Sequence, residues 1–347
     1  MGSRHHGSEI RRGLDCSSMR VVSRWCCRND YLVSAVIGAA ILVGGGSDGL
    51  AAPTLAPESA PPSLTGATGL VRVSTAEPDD ARSLQFAVFA ELSRATSFLV
   101  FGDTDTRAVL HLSMAMAPIR NLEIFAALWG SGNEEQDASS GGSTERASSG
   151  ALVVGAKPTW RLGTLVAVGG QGGVELPSRV SSLPAGASAW LDGLCSLDLN
   201  DRFRVPVQAH LNVGYYFDNS WNRYDFNGLS AAAREIVMFA DGVAGSGFRA
   251  AVGIEAVAYE RSGRVKITPF GEYHFAVVLF PLGGVYVDQS PSNPYQQWLT
   301  VGTRARLGQR LTLSASVDVA LQSVGFSYGP PLPPFNIVAG ASLPIGW

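Results

Sequence analysis

The chain has 347 residues, a formal net charge of -3, only 16% charged residues and a mean hydropathy of +0.14. That balance is unusual for a soluble domain of this size, and no basic nucleic-acid stripe is present. After the N-terminal region no apolar run reaches the about 18–20 residues of a membrane-spanning helix, so a helical bundle is excluded.

The N-terminus reads first. Tyr31 to Val43 (YLVSAVIGAAILV) is an apolar stretch behind Arg20, Arg24 and Arg28, and small residues follow it through Gly49, Leu50, Ala51 and Ala52. A basic flank, a short apolar core and a small-residue exit predict a secretory signal peptide over 1–51, with Met19 as a second candidate start. Cys16, Cys26 and Cys27 precede the apolar core, which leaves Cys195 as the only cysteine of the mature chain. No disulfide and no thiolate metal site is therefore expected. Residues 52–83 read as a periplasmic linker and lead-in: PTLAPESAPP is Pro/Ala-rich, and Gly69 to Glu77 is a short extended piece.

From Leu84 a period of two recurs, marking strands with one apolar and one polar face. Twelve segments are predicted, near 84–92, 107–117, 121–130, 150–160, 163–176, 187–198, 205–218, 247–259, 265–279, 296–307, 311–324 and 335–347. In the seventh, Val205, Val207, Ala209, Leu211, Val213, Tyr215 and Phe217 oppose Gln208, His210, Asn212 and Asp218. The polar face is mostly Gly, Ser, Thr, Asn and Gln, which suits a wet lumen better than a surface in bulk water. Gly170 to Gly173 inside the fifth segment suggests a bend or bulge.

Connections alternate strictly. Short ones contain Arg120, Arg161, Arg202, Arg204, Arg261, Arg264 and Arg310 against Asp201 and Glu260, whereas the six long ones carry four arginines against ten carboxylates. Such alternation is the pattern of an outer-membrane barrel with short periplasmic turns and long outer loops. The 130–150 connection, rich in Gly and Ser, is expected to be a solvated loop. Trp129, Trp160, Tyr215, Phe217, Trp221, Tyr259, Phe275, Tyr295, Trp298 and Trp347 gather near strand ends, as interfacial girdles require.

Five segments in order, GLVRVSTAEPDD, PIRNLEIFAALWGSGN, VPVQAHLNVGYYFDNS, KITPFGEYHFAV and PPLPPFNIVAGASLPIGW, resemble the barrel portion of OmpA-like outer-membrane proteins of Gram-negative bacteria. The resemblance spans Gly69 to Trp347 and implies an outer-membrane β-barrel. Because no peptidoglycan-binding module follows Trp347 here, a cell-wall role is not carried over. Leu343, Ile345 and Trp347 resemble the C-terminal signal read by the barrel-assembly machinery, and loss of Trp347 is expected to impair assembly.

The expected fold is thus all-β: a transmembrane, antiparallel, up-and-down barrel of about twelve strands over 84–347 in the cell outer membrane. Glu91, Arg107, His111, Glu123, Lys157, Asp192, His210, Arg249, Glu255, Lys266, Glu272, His274, Arg304, Arg306 and Asp318 share the parity opposite to the apolar face and are the candidate lumen-lining residues. Mixed signs fit a narrow polar pore, porin-like, for small solutes, or a non-conducting surface-interaction barrel zipped by ion pairs. A third reading, lipid hydrolysis by His111 and Ser113, would need that pair on the lipid face, whereas Leu110, Leu112, Met114 and Met116 occupy it. No enzyme activity, cofactor or metal is expected. Expected partners are outer-membrane lipid and lipopolysaccharide and the barrel-assembly machinery, with no nucleic acid.

Overall fold

The structure, a computed structural model, describes residues 60–96, 104–136, 143–147, 150–177, 186–219, 246–261, 264–280, 295–308, 310–321 and 334–346. The expected signal peptide, Trp221 and Trp347 lie outside the described residues. The alternating segments form β1 (Ser83–Thr96), β2 (Thr104–Ile119), β3 (Leu122–Gln136), β4 (Ser143–Ala147), β5 (Ala151–Leu162), β6 (Val166–Pro177) and β7 (Ser188–Asp198). After the single-turn α1 (Asn200–Phe203) come β8 (Val207–Phe217), β9 (Ser246–Ala256), β10 (Tyr259–Arg261), β11 (Val265–Phe280), β12 (Tyr295–Leu307), β13 (Leu311–Ala320) and β14 (Phe335–Gly346).

Every pairing is antiparallel. β3 pairs with β5 beyond β4, β9 pairs with β11 beyond β10, and β14 returns to β1 from Ser83↔Gly346 to Arg94↔Phe335. Twelve strands thereby close into a barrel, with β4 and β10 as short side pieces on β3 and β11. Among the described residues closure gives each of the twelve wall strands a partner on both sides, so the wall satisfies its own backbone polar groups without water. The expected solvated loop after residue 130 is corrected in part: β3 runs on to Gln136 and pairs with β4 from Gly132↔Ala147 to Gln136↔Ser143.

Side-chain alternation sorts the wall. On β1, Gln85, Ala87, Phe89 and Ser93 point inward and are buried, while Phe86 and Leu92 are exposed. Leu112, Leu128, Leu191, Val213, Val301 and Ile337 are likewise exposed on the outside. This many large apolar side chains around one circumference is far more than a water-facing surface carries. Val301 lies at the middle of β12 and is 59% exposed. Val301→Arg is expected to cost about 2–4 kcal/mol of barrel stability in a bilayer, measured as a shift of the unfolding midpoint in vesicles.

Aromatic residues follow the girdle expectation unevenly. Tyr215 packs against Phe217 and Phe248 at 4.5 and 5.1 Å, and Phe275 stacks on Tyr295 at 5.6 Å, all at strand ends toward the long connections. Trp129 and Trp298 instead take the inward parity: Trp129 packs on the lumen cluster of Phe125 and Trp190, and Trp298 stacks on His274 at 5.0 Å. The glycines of β6 make no bulge, since Ala156↔Gly172 and Thr159↔Gly169 keep one register. A Cβ on Gly173 would lie 2.5 Å from the Trp190 ring, so glycine is there to admit the indole.

The largest departure from the expected layout concerns the lead-in. Residues 60–82 do not trail away from the barrel but fold inside it. Bridges Pro62↔Thr68 and Gly69↔Ser74 make two small hairpins, the first turning at Gly66 with φ of 98°. Ser63 N–H donates to Ala67 O (2.8 Å), Leu64 to Val71 O (3.0 Å) and Leu70 to Val73 O (2.8 Å), so the segment meets much of its own backbone demand. Leu64, Leu70, Val71 and Val73 pack with Ala87, Phe89, Phe270 and Val338 of the wall into the main apolar core. Gly253 makes room for this, because a Cβ there would lie 2.6 Å from Leu70 Cδ1. Arg82, at φ of 67°, turns the chain out of the lumen into β1, its N–H bonded to Ala117 O at 2.7 Å.

Candidate functional site

The candidate site is the polar lumen together with the segment that occupies it. Three anchorages hold the segment, each built from wall side chains of inward parity.

The first sits near the start of β3. Glu123 and Lys157, side chains 3% and 1% exposed, pair at 2.7 Å across β3 and β5. Both reach the segment: Thr68 N–H donates to Glu123 Oε1 (2.9 Å), Thr68 O–H donates to Glu123 Oε2 (2.6 Å), and Lys157 Nζ donates to the Thr68 carbonyl (3.3 Å) and hydroxyl. Asp79 lies in the same group, its Oδ2 3.3 Å from the Thr68 hydroxyl. Two carboxyls thus share one ammonium out of water. Asp79 accepts the longer contact from the Thr68 hydroxyl, whose shorter hydrogen bond goes to Glu123. Burial and the neighbouring Glu123 carboxylate push the Asp79 carboxyl well above the ordinary carboxylate range.

The sign of the resulting pH dependence follows. A carboxyl that holds its proton more tightly docked than undocked favours docking in acid. Docking therefore weakens as pH climbs from the ordinary Asp value of about 3.9 up through the raised one. Protease accessibility of the segment is expected to rise with pH over that range in the native protein and to stay flat in Asp79→Asn.

The second anchorage is a relay across β7, β8 and β9. Ala76 N–H donates to Ser196 Oγ (2.8 Å), Ser196 Oγ lies 2.9 Å from His210 Nδ1, and His210 Nε2 lies 3.3 Å from Glu255 Oε1. Glu255 also accepts from Arg304, whose other nitrogen donates to Gly69 O of the segment at 3.1 Å. The relay begins and ends on the segment. Beside it Asn212, its amide oriented by the bonds it makes, donates to Ser74 O (2.9 Å) and accepts from Ser74 N–H (2.8 Å).

The third gathers Glu91, Glu272 and Asp318 around Arg72. Arg72 Nη2 lies 3.1 Å from Glu91 and 2.8 Å from Asp318, and Glu272 Oε1 accepts the Arg72 and Val73 N–H groups at 3.1 and 3.3 Å. His111 reaches Glu91 at 2.9 Å and His274 reaches Glu272 at 3.2 Å.

The remaining candidate residues lie elsewhere on the inner face. Arg249 makes a two-point contact with Asp192 (2.8 and 2.7 Å) and lies 5.8 Å from the rings of both Trp190 and Tyr216. Lys266 and Arg306 face each other across β11 and β12, half-buried, and Arg107 stands opposite Asn133 across β2 and β3. Leu343 and Ile345 share the outward parity of β14, with Ile345 exposed. Arg72, Thr68, Asp79 and Ser196 were not singled out by sequence. The available signal was the apolar content of LVRV in a supposed linker.

No protein-family model matches the chain, and no curated protein matches it. Among solved structures, an outer membrane channel from Pseudomonas putida F1 superposes with a TM-score of 0.53 at 12% identity, over 78% of this chain and 97% of that one. The translocator domain of the autotransporter NalP from Neisseria meningitidis aligns with a TM-score of 0.43 at 9% identity, over 77% of this chain and 90% of that one. The first superposition shows the fold, that of an outer-membrane barrel, closed in this chain by twelve strands.

Proposed function

We propose that the chain is an outer-membrane channel for small polar solutes whose resting state is closed by its own residues 60–82. One observation carries this reading: a segment from outside the wall is docked in the lumen through polar contacts to β1, β3, β5, β7, β8, β11, β12 and β13. A barrel meant only to be solid could fill its interior with wall side chains. An occupant joined to the wall by hydrogen bonds and ion pairs can leave as a unit, because each contact it gives up can be replaced by water. The likeness to a solved outer membrane channel agrees with it. Export by the 1–51 signal, recognition of the C-terminal strand by the assembly machinery and contact with lipopolysaccharide belong to the same proposal.

The second reading is a non-conducting surface barrel, favoured by the buried Glu123–Lys157 pair. Planar-bilayer recordings of the native and segment-deleted proteins separate the two, since silence from both supports the solid barrel. The lipid-hydrolase reading has no support in placement: His111 and Ser113 lie on the inner face with Val109 and Ala115, away from lipid.

A further inference from the structure

The end of the barrel that carries the short connections displays a ring of exposed arginines. Arg120 lies between β2 and β3, Arg202 and Arg204 on and just after α1, Arg261 and Arg264 where β10 turns into β11, and Arg310 between β12 and β13. Among the described residues these six have no carboxylate partner, whereas Arg161 spans Glu77 at 3.0 Å and Asp198 at 3.3 Å. The chain's two lysines, Lys157 and Lys266, both take the inward parity, so the cations of the ring are all guanidinium groups. The ring also borders the apolar wall. Trp160 and Leu162 flank Arg161, and Leu307 is the last outward residue of β12 before Arg310; all three are exposed. Tyr259, exposed opposite Ile267, shares the outward face of β10 with Arg261. Phe203 is exposed between Arg202 and Arg204, with the Arg202 guanidinium 5.7 Å from its ring. Among the described residues the two non-glycine positions at positive φ are arginines of this same end, Arg82 at 67° and Arg204 at 55°. A side chain with a Cβ is disfavoured there, so arginine stands where glycine or asparagine would sit more easily.

We infer that this ring binds the headgroups of anionic glycerophospholipids in the leaflet at the short-connection end. The distribution selects lipid over a soluble partner: the arginines come from separate connections around the circumference, and lipid-facing apolar side chains accompany them, whereas a compact protein would meet one sector. Charge and apolar insertion are the two signals that together hold a surface against an anionic leaflet. The planar guanidinium places two parallel N–H bonds on one phosphate and is more weakly hydrated than an ammonium, so it sheds water at headgroup depth at lower cost. The long connections have the opposite sign, four arginines against ten carboxylates, so the preference belongs to one leaflet, the periplasmic one in the expected orientation. It holds whether or not the lumen conducts.

Quenching of tryptophan fluorescence by brominated lipid tests the ring, with Trp160, exposed beside Arg161, among the reporters. The full chain is reconstituted in mixed vesicles of phosphatidylcholine and phosphatidylglycerol, in which one lipid or the other carries the bromine. At low salt the native protein is expected to favour phosphatidylglycerol about fivefold, the effect of one arginine per headgroup. Arg202→Gln, Arg204→Gln, Arg261→Gln and Arg264→Gln combined are expected to bring the ratio near one. Arg94→Gln with Arg146→Gln, at the long-connection end, is expected to leave it unchanged. Heat-shifted gel mobility establishes that each variant is assembled, and if the combined variant does not assemble, Arg120→Gln with Arg310→Gln is expected to lower the ratio in part. Equal quenching by the two lipids in the native protein would overturn the assignment and leave the ring to an acidic protein partner. A preference that survives loss of the ring arginines, or that falls equally when those of the other end are removed, would overturn it as well.

Discussion

Deletion of residues 60–82 is expected to turn a barrel with rare openings into one that conducts continuously in a planar bilayer. The segment fills the apolar core between β1, β9, β11 and β14 with Leu64, Leu70, Val71 and Val73, and the wall offers no replacement for that volume except water. A smaller lesion should act in the same direction. Arg72→Ala removes charge-assisted hydrogen bonds worth about 1.5–3 kcal/mol, which corresponds to a rise of roughly ten- to a hundredfold in open population at 1.4 kcal/mol per decade. Single-channel open probability measures it directly. A deleted barrel that inserts, shifts its gel mobility on heating and passes no current would end the gated-channel reading.

Lys157→Met is expected to be the most damaging single substitution in the wall. It leaves Glu123 buried opposite Asp79 without the ammonium that balances them, and removing one member of a buried pair costs about 3–5 kcal/mol. Unfolding of the barrel in denaturant should report the loss. Because the penalty comes from an uncompensated charge rather than from lost volume, Glu123→Leu combined with Lys157→Met should recover most of it. An additive double variant would instead mean that the two side chains act independently and that the loss in Lys157→Met is not that of an uncompensated charge.

The wall was legible in the sequence because a barrel strand repeats one simple rule, apolar outside and small or polar inside, and because turn and loop lengths alternate. β8, with Leu211 and Val213 opposed to His210 and Asn212, could be read residue by residue. Two things were not legible. Parity places a side chain inside without saying whether it touches water or a neighbour, so Trp129 and Trp298 were assigned to girdles although they pack inward. The docked segment was missed for a different reason. Its hairpins are too short to show periodicity, and its contacts with Glu123, Ser196, Glu272 and Arg304 span 55 to 235 residues of chain. Long-range pairing of that kind leaves no local pattern. LVRV followed by STAEPDD resembles an ordinary linker until the carboxylates of Glu91 and Asp318 are placed beside Arg72.

The central claim is that residues 60–82 lie inside the closed barrel. Disulfide cross-linking between the segment and the wall tests it most directly. Thr75 and Ser196 face each other with hydroxyls 3.3 Å apart. In a Thr75→Cys, Ser196→Cys protein with Cys195 replaced by serine, mild oxidation in membranes is expected to join positions 75 and 196 in nearly every molecule, read as a linked peptide by mass spectrometry. Two cysteines that stay unlinked in a correctly assembled barrel would contradict the account.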